Sequence, residues 1–146
     1  MVDSRAKGAA GERQVRDVLR SRTGLEWQRV PHSGALEYMK GDLFVPNAHN
    51  NYCVEVKFYK DSHFNDKILT NKTNQFAAWW EQTTSQAKKQ GGKPVLFFKY
   101  NRSKIFVATR DKPEWVREYM HVNHLDCYVM EMTNWLVHEQ PSFTNG

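Results

Sequence analysis

The stretch GDLFVPNAHNNYCVEVKF, residues 41–58, constrains this chain more than any other. DLFV (42–45) and YCVEVKF (52–58) are rich in β-branched and aromatic residues, and PNAHNN between them has the Pro and Asn content of a turn. The pattern predicts two short strands in a hairpin. Pairing Val45 with Tyr52 leaves PNAHNN as the loop and sets Asp42 opposite Glu55, their Cβ atoms roughly 5 Å apart. Alternation along a strand then gives Glu55, Lys57 and Asp42 one shared face, and gives Tyr52, Val54, Val56 and Phe58 the other, as a core.

Two carboxylates facing each other across a ladder repel, which is a poor arrangement for stability alone. A divalent cation converts the repulsion into attraction, and hard Mg²⁺ typically takes one or two carboxylates plus water and phosphate oxygens. A lysine beside such a site can hold a phosphate or stabilise an attacking hydroxide. The plainer reading is a wet hairpin face carrying a Glu55–Lys57 ion pair.

Upstream, Val15, Val18 and Leu19 recur at helical spacing and predict a helix from about Ser4 to Ser21, ended by Thr23-Gly24. Glu12 falls at the edge of that apolar stripe, beside a basic ridge of Arg13, Arg16 and Arg20. From there it either joins Asp42 and Glu55 or pairs with Arg16. EWQRV (26–30) reads as a first strand stopped by Pro31, and HSGALEYMKG as a loop over the strand ends, where functional groups collect. Residues 59–72 lack periodicity and predict a mobile loop whose Lys60, Lys67 and Lys72 either contact phosphates or simply solvate it.

A second helix, from about Lys72 to Gln90, packs Phe76, one of Trp79 and Trp80, Thr83 and Ala87 inward and ends at Gly91-Gly92 and Pro94. The two tryptophans are not expected to share one core; the other is left for a core or dimer contact or for stacking on an exposed base. VLFFK and KIFVAT pair as a hairpin through YNRS. EWVREYM after Pro113 suits a short helix, CYVMEM an edge strand, and NWLVHE a final turn capped by Thr133. Together these elements predict an α/β fold, a mixed central sheet of about five strands flanked by helices.

Charge is distributed unevenly. Residues 1–110 hold 19 Lys/Arg against 10 Asp/Glu, whereas residues 111–146 hold 2 against 6. The basic part coincides with the carboxylate cluster, as expected of a surface that meets a phosphate backbone, with a merely solvated basic face as the competing view. The acidic end is expected to face away from DNA. The 146 residues suffice for one domain with its own core. No apolar run approaches about 18 residues, so no membrane is expected as a partner. Cys53 and Cys127 have no metal-type spacing and read as buried thiols.

Gly41-Asp42 followed by Glu55-Val56-Lys57 resembles the motif of the PD-(D/E)XK nuclease superfamily, with Gly for the usual Pro. The ordered set resembles the archaeal and viral Holliday junction resolvases. SRAKGAAGERQVRDVL stands for their basic opening helix, WQRVPHSGA for the serine loop, TNQFAAWW for the glutamine-led helix and VLFFKYNRSKIFVAT for the closing strands. The match spans about residues 4–110, and residues 111–146 then form a C-terminal extension of the same 1–146 nuclease domain.

The resemblance implies a restriction-endonuclease-like fold and a Mg²⁺-dependent endonuclease that resolves four-way DNA junctions, with Mn²⁺ expected to substitute. By the same resemblance, Glu12, Asp42, Glu55, Lys57, Ser33 and Gln75 are the catalytic residues; Asp42, Glu55, the Val56 carbonyl and Glu12 the metal ligands; and Arg5, Lys7, Arg13, Arg16, Lys60, Lys67 and Lys72 the DNA contacts. It further implies a homodimer acting in the cytoplasm, the host's if the source is viral. The alternatives are a restriction-like or phage recombination and repair nuclease acting on duplex or branched DNA, and a non-catalytic DNA-binding module on the same fold.

Overall fold

A computed structural model describes residues 4–31, 39–60 and 74–145, the side chains of residues 4–7 excepted. The chain opens with helix α1, Ser4–Thr23, and the two-residue strands β1, Gln28–Arg29, and β2, Leu43–Phe44. Strand β3, Tyr52–Tyr59, leads through helix α2, Gln75–Gln90, to strand β4, Lys93–Tyr100. Strands β5, Phe106–Thr109, β6, Met120–Val122, and β7, Cys127–Glu131, follow. A short helix, α3, Met132–Asn134, runs directly into a π-helical turn, Trp135–Glu139.

The strands form one seven-stranded mixed sheet in the order β1-β2-β3-β4-β5-β7-β6. Only β3 and β4 pair in parallel, with α2 as the crossover between them; every other pair is antiparallel. Leu43 faces Val54, the hairpin register expected from the sequence. Beyond Phe44 the ladder gives way to a side chain. Asn50 accepts from the Val45 amide and donates to the Val45 carbonyl, both at 2.8 Å, so it takes the place of a strand partner there.

Both faces of the sheet are covered, and this corrects the wet-face reading. Val54, Val56, Val95, Phe97 and Val107 pack against Val15 and Leu19 of α1 and against Trp135, Leu136 and Phe143 near the C-terminus. On the opposite face Phe76, Trp79 and Trp80 of α2 cover Leu96, Phe98, Tyr100, Ala108 and Val129. Paired residues of parallel strands share a face, so Glu55 and Lys57, partners of Leu96 and Phe98, lie on the face that α2 covers.

Several expectations give way to longer-range contacts. Trp79 and Trp80 both enter the same core. Trp80 anchors its indole N–H on the Leu125 carbonyl at 2.8 Å, while Trp79 lies against Tyr100. The sheet has seven strands rather than about five, and β7 is internal because the three residues of β6 add the edge. EWVREYM forms no helix. The Glu139 carboxylate collects the amides of Glu114, Trp115 and Val116, each at 2.7 Å, and holds that segment in an irregular turn. Thr133 caps nothing, since α3 begins at Met132 with no side-chain cap. Strand β3 extends one residue further than expected, to Tyr59, and α2 starts at Gln75 with Asn74 as its cap. The rest of the loop expected over 59–72 lies outside the described residues. Among the described residues no helix is long and apolar enough to cross a membrane.

Candidate active site

Asp42 is fixed by the backbone on both sides. Its amide donates to the Val54 carbonyl at 2.7 Å, and its Oδ2 accepts from the Val56 amide at 2.8 Å. The residue before it explains the departure from the usual Pro-Asp pair. Gly41 has φ of +82°, and a Cβ there would stand 2.6 Å from the Val54 carbonyl oxygen. Proline, locked near φ −65°, cannot take that conformation, so this hairpin entry requires glycine.

Glu55 is 4% exposed, set between β2 and β4 on the face that α2 covers. Its carboxyl is pushed far above the ordinary glutamate range, first by burial, then by the charge of Asp42 and a hydrogen bond with it; Lys57 pulls it back, and Glu12 adds a smaller push upward. A glutamate driven upward in this way tends to keep its proton, so the site carries less charge than its formal count. An incoming cation would displace that proton and be held by oxygen ligands alone. The donor set fits a hard divalent ion such as Mg²⁺, which needs few protein ligands and keeps its waters. Cys53, two residues before Glu55, is not such a donor: burial, then Glu55 and Asp42, push its thiol up to about 12.

Glu12 reaches the site's border from α1. The helix approaches closely because Gly11 rests on Phe58; a Cβ there would lie 2.8 Å from the ring. Glu12 is 8% exposed and pairs with Arg29 of β1 at 3.2 Å. It does not pair with Arg16, which bonds Asp17 at 3.0 Å instead. Among the described residues no group of three or more His, Cys, Asp and Glu side chains is close enough to hold a metal ion, so Asp42 and Glu55 stand as a two-carboxylate pair with Glu12 behind them. Arg29 was not foreseen from the sequence. Its strand is too short to show alternation, and its partner lies 17 residues away.

Lys57 is half-buried, one alternation beyond Glu55. Gln75 is exposed at the start of α2, where the Asn74 side chain accepts from the Phe76 amide at 2.8 Å. Arg13 and Lys60 are exposed and Arg16 is half-buried. Arg5 and Lys7 lie on α1, but their side chains, like Ser33, Lys67 and Lys72 altogether, are outside the described residues.

A parallel-centred sheet with a carboxylate pair and a lysine on adjoining strands is the arrangement of a PD-(D/E)XK nuclease. The family described as "Phage putative PDDEXK endonuclease" matches residues 3–140, and the chain belongs to it. Protein D14 of Escherichia phage T5 is 40% identical over 130 residues, which cover 85% of this chain and 81% of that protein. A solved structure of Hjc, a Holliday junction resolvase from the archaeal hyperthermophile Archaeoglobus fulgidus, is 16% identical and aligns with a TM-score of 0.46 over 90% of this chain and 93% of its own. Nucleases of this superfamily generally use divalent metals and act on DNA.

Proposed function

We propose that this chain is a Mg²⁺-dependent, structure-selective DNA endonuclease that resolves four-way junctions by phosphodiester hydrolysis. The observation that carries the nuclease chemistry is the buried Glu55 carboxyl beside half-buried Asp42, with Lys57 one alternation further along the same strand. Asp42, Glu55 and the Val56 carbonyl would hold the cation, with Mn²⁺ able to replace it. When bound, the ion supplies Lewis-acid stabilisation at the phosphate and a more acidic water. The Lys57 ammonium meets charge developing on the phosphate oxygens, an electrostatic contact that is strongest in the transition state. Gln75 orients the phosphate or Lys57, and Ser33, between β1 and β2 in sequence, contributes as well. Glu12, clamped by Arg29, keeps negative charge at the site's border and orients water or completes the ligand set.

Junction selectivity is supported by the ordered resolvase-like elements over residues 4–110 and by the concentration of basic charge in the same part. Arg5, Lys7, Arg13, Arg16, Lys60, Lys67 and Lys72 would follow the phosphates, contacts that set position and shape rather than base identity. A near-two-fold junction needs two symmetric cuts, so a C₂ homodimer is the economical assembly. The site of action would be the cytoplasm of an infected host.

The test is cleavage of a four-way junction and of linear duplexes built from its arms, with and without Mg²⁺. Paired nicks in the junction, weak cutting of the duplexes and none without metal are expected. Equal cutting of both substrates would leave a general endonuclease of the same superfamily; no cutting of either would leave a DNA-binding module.

A further inference from the structure

The turn that joins β4 to β5 lies at the carboxyl ends of the parallel strands β3 and β4, just beyond Lys57. Its backbone is fixed on several sides. The Ser103 hydroxyl accepts from the Tyr100 amide at 3.0 Å, and the Ser103 amide donates to the Tyr100 carbonyl at 3.1 Å. The Asn101 amide donates to the Lys60 carbonyl at 3.3 Å, which ties the turn to the residue that follows β3. Arg102 stands exposed at the tip with φ of +65°, a left-handed conformation that favours glycine and is strained for an arginine. Among the described residues no carboxylate pairs with Arg102, whereas Lys104 is engaged by Glu131 at 3.8 Å. Lys99 sits beside the turn, its ammonium 3.3 Å from the Tyr100 carbonyl oxygen and 5.9 Å from the centre of the Phe58 ring. No acidic residue occurs between Gln82 and Arg110, so the turn and both of its strands contribute positive charge alone.

We propose that Lys99 and Arg102 form a phosphate-binding knuckle that holds the DNA backbone flanking the cleaved phosphate. This rests on the nuclease reading and adds to it a contact carried by β4 and its turn, apart from α1 and the segment after β3. Arg102 is four residues beyond Phe98, the strand partner of Lys57, so at most roughly 13 Å separates the two along the strand direction. Each DNA strand carries one charge per about 3.4 Å of helix axis. A backbone held at Lys57 and laid over the carboxyl ends of β3 and β4 therefore presents further phosphates to Lys60, Arg102 and Lys99. The guanidinium offers a fork of donors to a phosphate, and the ammonium offers a compact charge. Because the turn is already fixed, little backbone freedom is lost on binding, and more of the contact energy appears as affinity. A turn kept only for its shape would be better served by glycine at the tip. Strain held at an exposed arginine points instead to a group placed for a ligand. Such contacts set position and carry no base identity.

The experiment uses the full chain and four-way junctions of two unrelated sequences, with binding measured over a series of salt concentrations in EDTA so that no strand is cut. For the wild type, log affinity should fall linearly with log salt concentration. Arg102→Gly, which suits the positive φ, should melt no lower than the wild type yet bind both junctions with a salt slope shallower by about one unit. Adding Lys99→Gln should remove about one unit more, whereas Arg102→Lys should keep most of the wild-type slope. Lys88→Gln with Lys89→Gln takes as much charge from the last turn of α2, by the opposite end of β4, and should leave the slope unaltered. Wild-type slopes in both knuckle variants, a loss confined to one junction sequence, or an equal loss in the Lys88 and Lys89 variant would overturn the proposal. A wild type that binds neither junction would sink the nuclease reading and the knuckle with it. Retained binding and Mg²⁺-dependent cutting, with slopes unchanged in the variants, would sink the knuckle alone.

Discussion

Glu55 and Glu139 are the two glutamates that most clearly differ in how the fold treats their charge. Glu139 stands near the C-terminus, and although burial works against its charge, the amides of Glu114, Val116 and Trp115 outweigh it and lower its pKa below the ordinary glutamate range. It is a carboxylate supplied with donors, and it fastens an irregular segment to the last helical turn. Glu55 is more deeply buried, faces Asp42 and is driven upward. One site is electrically complete with protein groups alone. The other faces a second carboxylate, an imbalance that the proposed cation would relieve.

The largest expected effects fall on the Glu55 site. Asp42→Asn or Glu55→Gln should abolish cleavage while leaving DNA binding intact or slightly tighter, because each would remove a proposed metal ligand and a carboxyl from the path of the phosphate. Glu139→Gln should leave the cutting rate unchanged. Near-wild-type cleavage by either active-site variant would erase the distinction between the two carboxylates. Lys57→Ala comes next, with a loss of roughly 10²-fold in catalytic rate measured in single-turnover assays at saturating protein.

Stability should sort the same residues the other way. Glu139→Ala strips three amides of their charged acceptor, and at this half-buried site a loss of about 1–2 kcal/mol is expected, read from urea unfolding. Glu55→Gln should instead hold or raise the stability of the metal-free protein at neutral pH, since the neutral amide never has to carry charge in that buried place beside Asp42.

The pH dependence carries opposite signs. The raised pKa of Glu55 means its contribution to stability is full below the ordinary value of 4.5 and is lost as pH rises through the raised value. The lowered pKa of Glu139 means its contribution is present above 4.5 and is lost as pH falls through the lowered value. Thermal melts in EDTA should therefore show Glu55→Gln flattening the alkaline side of the profile and Glu139→Gln the acid side. Identical profiles for both variants would contradict the assignment.

Much of the site was legible because it is local. The carboxylates, the lysine and the hairpin register follow from alternation and turn content within residues 41–58, and Leu43 facing Val54 agrees with them. Helix α1 and the ending of α2 at Gly91 were readable for the same reason. What failed depended on partners distant in sequence. EWVREYM has the composition of a helix, but Glu139 takes its amides from about 25 residues away. Glu12 had Arg16 as its near neighbour in helical spacing, yet pairs with Arg29 on a strand of two residues. Adjacent on one helix, Trp79 and Trp80 are not expected to share a core, yet Leu125, carried by the turn between β6 and β7, gives the Trp80 indole N–H a partner within it.

Glu55, driven upward by burial and by Asp42, holds a proton that a bound divalent cation would displace. Titrating Mn²⁺ into the protein calorimetrically, in two buffers of different ionisation enthalpy at neutral pH, measures that exchange directly. Release of roughly one proton per bound ion, affinity that rises with pH, and loss of both in Glu55→Gln are expected. Binding of equal strength in Glu55→Gln, or binding to the wild type with no proton released, would contradict it.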